Sequence, residues 1–95
     1  MSHLDTLAAH RQLVSQLAAA FRDRAFIKAT DVRARGYAFR SLNDGTRNIT
    51  TVRAEVDAAQ VDMTVELVEL DGEIDALQTE LRGIEADLRY YEKGV

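Results

Sequence analysis

The chain has 95 residues, of which 46% are hydrophobic and 29% charged: enough for one small domain, too apolar for a disordered tail, and too short to draw much stability from a buried core alone. With 0 Cys, and only His3 and His10 as further soft ligands, a disulfide scaffold and a cysteine-based zinc site are excluded, while 0 Pro and 14 Ala favour long helices packed on a partner. The net charge of −4 hides two opposed halves: residues 1–47 carry 8 basic and 4 acidic side chains, residues 48–95 carry 4 basic and 12 acidic.

The first element is predicted over about residues 2–30. Ser2 is placed to cap it, and Asp5 sits three residues on, near the positive end of the helix dipole. At 100° per residue Leu4, Leu7, Val14, Leu17, Ala18, Phe21 and Ala25 share one broad face, with Gln12, Ser15, Gln16, Arg22 and Asp23 opposite. Residues 31–47 break that pattern with Gly36 and the Asn43-Asp44-Gly45 cluster, and read as a basic loop. The β-branched run from Ile49 to Val52 leaves a short β-hairpin over 37–52 as the alternative.

A long acidic helix is predicted over about 48–93. Met63, Leu67, Leu70, Ile74, Leu77, Leu81, Ile84, Leu88 and Tyr91 follow a 3-4 spacing, so every a and d position of four heptads is apolar. The flanking e and g positions hold Glu66, Asp71, Glu73, Glu80, Glu85, Asp87 and Glu92 and no basic residue. Two such seams facing each other would oppose like charges, so the seam selects a basic or neutral helix, or a non-equivalent surface on another copy of the chain. Arg11, Arg22, Arg24 and Lys28 on the first helix make it one such partner. The expected architecture is therefore all-α: an antiparallel helical hairpin with a long C-terminal coiled-coil helix. Its second arm outruns the first, leaving part of the seam for another protein.

Chemistry is sparse. His10 falls on the packed side of the first helix with no nucleophile or carboxylate beside it at catalytic spacing, and the carboxylates of the long helix lack the histidine companions of a di-metal bundle. There is no Gly-rich phosphate loop and no triad pattern. No enzyme activity, cofactor, metal or small-molecule substrate is expected. No run approaches 18 apolar residues and no signal-peptide pattern opens the chain, so no membrane partner is expected, and the location is expected to be the cytoplasm or a particle assembled there.

The sharpest local match is Arg35-Gly36-Tyr37-Ala38-Phe39, which resembles the start of the octapeptide signature of RNA-recognition motifs. That resemblance implies a strand presenting Tyr37 and Phe39 for base stacking. It stops there, because Arg40 and Leu42 stand where an aliphatic and an aromatic belong, and a helix fills the region of the first strand. Together with Arg33, Arg35, Arg40 and Arg47 the aromatics still make residues 33–47 a candidate nucleic-acid contact, the alternative function. The leading expectation is a non-enzymatic structural or adaptor subunit of a larger assembly, with a component of a phage particle as one example of that size and shape.

Overall fold

The computed structural model describes residues 2–94. They form three helices: α1 (His3–Leu42), α2 (Ile49–Ala59) and α3 (Val61–Gly94). Among the described residues there is no strand, and the molecule is a rod of 72 × 17 × 17 Å. α1 runs up the rod; α2 and α3 run back down it. The architecture is the expected helical hairpin with a long C-terminal helix.

α1 starts where its cap chemistry places it. The Ser2 hydroxyl accepts the Asp5 amide at 3.1 Å, and the buried Thr6 hydroxyl donates to the Ser2 carbonyl at 3.0 Å. The helix then continues through residues 31–42, where a basic loop was expected. Nothing in that stretch forbids it: there is no proline, Ala34 and Ala38 favour helix, and Asp31 and Arg35 form an i,i+4 ion pair at 2.9 Å. The turn signal that counts is the later one. Asn43 closes the helix by donating to the Phe39 carbonyl at 2.8 Å, Asp44 accepts from both the amide and the hydroxyl of Thr46, and Gly45 takes a φ of 87° that disfavours any side chain.

α2 replaces the alternative β-hairpin. Asn48 caps it by accepting the Thr50 amide at 2.8 Å, and Val52 and Val56, one turn apart, are both buried. Burial of that face on α1 outweighs the strand propensity of the β-branched run. The expected single helix over 48–93 is interrupted at one residue, Gln60, whose amide is shared between the Val56 and Asp57 carbonyls at 3.2 Å each. Gln60 lies just ahead of the apolar seam that begins at Met63, so no buried apolar side chain fixes the helix there.

With 40 residues, α1 is about 60 Å long. It therefore matches the returning arm, and no overhanging length of seam is left uncovered. Across from the seam, α1 presents Thr6, His10, Leu13, Leu17, Ala20 and Arg24, then Ile27, Asp31, Ala34 and Ala38, all buried or half-buried and all in a 4-3 spacing. This inward row is not the face expected from hydrophobicity. Of that face only Leu7 and Leu17 are partly covered; Leu4, Val14, Ala18, Phe21 and Ala25 are exposed. Thr6, Ala20, Ala34 and Ala38 make this row less bulky than the seam of α3, which supplies most of the large apolar side chains between the helices.

Candidate interaction surface

Met63, Leu67, Leu70, Leu77, Leu81, Ile84, Leu88 and Tyr91 are half-buried and Ile74 is buried. All nine seam residues thus share the side turned to α1, and the chain is its own partner along the seam. Of the seven acidic flanks, two meet α1 directly. Arg24 Nε donates to Asp71 Oδ1 at 2.5 Å, and Glu85 lies 3.7 Å from His10 Nε2. The Asp71 carboxylate, first by its hydrogen bond and then by its charge, raises the pKa of the Arg24 guanidinium. Glu66, Glu73, Glu80, Asp87 and Glu92 form no ion pair among the described residues. Arg11, Arg22 and Lys28, expected to answer them, also form none, because the phase of α1 turns them outward. Opposite the other edge of the seam α1 offers Gln12, Gln16 and Asp23 instead, and Asp23 joins Glu66, Glu69 and Glu73 around the exposed Phe26 in an open acidic groove.

A second polar knot, which the sequence did not single out, sits at the Gln60 break. Arg35 donates to Asp31 on its own helix, to Asp57 on α2, and to the Thr64 hydroxyl on α3 at 3.2 Å. One guanidinium therefore ties all three helices, and the two carboxylates, Asp31 first, raise its pKa. Asp31 Oδ1 is buried and has no hydrogen-bond partner, so the Asp31 charge leans on Arg35 alone.

The nucleic-acid candidates are dispersed by the helix that carries them. Arg35 is committed to the three-helix knot, Arg47 is bonded to Glu55 at 2.7 Å, and Phe39 turns toward Val56 in the groove between α1 and α2. Arg33, Tyr37 and Arg40 remain exposed, with the Arg40 guanidinium 5.7 Å from the Tyr37 ring centre. Tyr37 and Phe39 cannot stack neighbouring bases as on a strand, because two residues along a helix point about 200° apart.

What the hairpin leaves open is the outer face of α1. Leu4 (77% exposed), Val14, Phe21 (46%) and Val32 (62%) recur with Ala18 and Ala25 in a 3-4 spacing, and Arg11, Arg22 and Lys28 lie in or beside the row. This is a second heptad stripe on the same helix, displaced by one residue from the inward one: Leu13 is inside and Val14 outside, Ala20 inside and Phe21 outside. Between Arg11 and Lys28 the row is apolar throughout, and soluble monomers seldom leave such stripes uncovered. Among the described residues no helix is long and apolar enough to cross a membrane, and no group of three His, Cys, Asp or Glu residues could hold a metal ion. Compared with known proteins, the chain matches no family model, no curated protein and no solved structure.

Proposed function

We propose that the protein is a non-enzymatic structural subunit that joins a larger assembly by helix-to-helix packing along the outer face of α1. The observation that carries this reading is the stripe from Leu4 to Val32, which the hairpin leaves exposed although both of its arms are fully paired. A partner for the seam would have to displace α1, whereas a partner for the outer face needs only to lie on it. The cations Arg11, Arg22 and Lys28 select an acidic surface for that contact. A subunit of this kind needs no catalytic residues, cofactor or metal, and the chain carries no motif for them.

The test is the size at which the full-length protein migrates in extracts of its source cells. The wild type is expected in a species larger than a lone hairpin, and V14E/F21E, which places two charges on the stripe, at the size of the hairpin itself. Wild type and variant migrating together at hairpin size would overturn the reading.

A further inference from the structure

We propose that the outer face of α1 is covered by a second copy of this chain, in a two-fold dimer in which α1 of each copy lies antiparallel on α3 of the other. The inference rests on the reading just given, that the stripe is an association surface, and names its occupant.

Area favours a second copy. The chain exposes 7067 Å², about 1,600 Å² more than a compact chain of 10.6 kDa. A stable interface takes about 800 Å² from each partner. The stripe from Leu4 to Val32 is about 42 Å long and one helix wide. A single foreign helix laid along it covers roughly half the needed area, while a two-fold dimer makes the same contact twice and reaches it.

Charge favours α3 of that copy. α1 holds 7 basic and 3 acidic residues, and α3 holds 10 acidic and 3 basic. Among the described residues only Arg24 and His10 of α1 reach carboxylates of α3 within one hairpin. Among the described residues Arg11, Arg22 and Lys28 on one helix, and Asp75, Arg82 and Arg89 on the other, form no ion pair. Stacking α1 on α1 would instead bring two basic helices together.

Register favours it too. Levels along the rod are fixed by the pairs Arg24 with Asp71, His10 with Glu85, and His3 with Tyr91, whose rings lie 4.9 Å apart. A two-fold axis along the rod preserves these levels. It sets Arg22 near Asp75, Arg11 between Arg82 and Glu85, and Val32 between Val61 and Val65 of the second copy. Phe21 comes within about 3 Å of the level of Gly72, around which there is open space. The α3 surface concerned, Val61, Val65, Val68, Gly72 and Asp75, is exposed, and one and two heptads beyond Asp75 it continues through the exposed Arg82 and Arg89. It also lies on the correct side: Phe21 and Lys28 neighbour Arg24 on α1, and Val68 and Asp75 neighbour Asp71 on α3, so the Arg24–Asp71 bridge marks the common side. Because both surfaces share one side of the hairpin, the dimer closes and does not grow into a filament.

Sedimentation equilibrium of the purified full-length chain from about 1 to 500 µM reads the outcome directly. The mass is expected to rise from 10.6 kDa to twice that value and stop. V14E/F21E should raise the dimer dissociation constant on the order of a hundredfold with helix content unchanged by circular dichroism. Should that variant lose helix, the charge swap decides: R22E should weaken the dimer and R22E/D75R restore it. A wild-type chain monomeric throughout, growth beyond the dimer, or a swap that fails to restore association would each overturn the proposal. A purified monomer beside a larger species in source-cell extracts would remove the second copy while sparing the association surface, so the two failures are distinguishable.

Discussion

Ala18 and Ala20 are chemically identical and two residues apart, yet they point about 200° away from each other, and Ala20 is 6% exposed while Ala18 lies in the outer stripe. The same substitution at both positions therefore asks which side of α1 is inside. Ala20 is buried and lines one cleft with Leu70 and Leu77, so Ala20→Leu pushes three more carbons in between the helices. Overpacking of this kind costs about 1–3 kcal/mol, which for a chain of this size lowers the melting temperature by about 5–20 °C. Ala18→Leu meets no neighbour within the hairpin and should change its stability by no more than about 0.5 kcal/mol in the destabilising direction. Urea unfolding followed by circular dichroism at low micromolar concentration separates the two, with unchanged slopes confirming that stability and not compactness has moved. If Ala18→Leu were the damaging change, or if both were neutral, the inward row assigned to α1 would be wrong.

Three further outcomes follow from local geometry. Arg35→Met should destabilise the fold by about 2–4 kcal/mol, because it strands the buried Asp31 carboxylate; adding Asp31→Asn should recover more than half of that, and a double mutant as unstable as the single would show that the knot does not act through charge. Gly45→Ala should cost about 1 kcal/mol, since φ is 87° there, and a neutral result in the same urea titration would remove the turn from the account. The Thr46 hydroxyl, and after it the Thr46 amide, hold the Asp44 carboxyl below its usual value of 3.8. Its contribution to stability is therefore fully present above the unfolded value and is lost as the pH falls through the lower folded one. A carboxyl titration by nuclear magnetic resonance should give Asp44 a midpoint below that of an unfolded aspartate, and the stability gap between wild type and Asp44→Ala should close in acid. A midpoint at or above the unfolded value contradicts the turn geometry.

The helix that was legible in the sequence is the one whose contact surface is made of large apolar residues. From Met63 to Tyr91 hydrophobic periodicity and packing coincide, and every seam residue lies on the side turned to α1. On α1 they diverge. Its inward row holds Leu13, Leu17 and Ile27 among Thr6, His10, Arg24, Asp31 and three alanines, too few large apolar side chains to set the period, so hydrophobicity picked out the outer stripe one residue away. The missed signal was of a different kind: alanines, charges and hydroxyls in a strict 4-3 spacing that runs unbroken from residue 6 to residue 38. The same row carries the helix through residues 31–42, past Gly36, to the turn at Asn43-Asp44-Gly45. The acidic flanks of α3 border the seam, but Arg11, Arg22 and Lys28 answer them in composition alone, and helix phase places these cations on the outside. The knot of Arg35, Asp31, Asp57 and Thr64 joins residues up to 33 positions apart and leaves no local pattern to find.

Because the chain has no cysteine, single introduced thiols can report which stripe of α1 is buried and which is offered to a partner. The decisive measurement is the labelling rate of Leu13→Cys and Val14→Cys across a range of protein concentration. Leu13→Cys should be protected at every concentration, because that face lies against α3 of the same chain. Val14→Cys should label freely in dilute protein and become protected as copies associate. Protection of Val14→Cys at the lowest concentration, or free labelling of Leu13→Cys in the folded hairpin, would contradict the two-faced helix on which the proposed role depends.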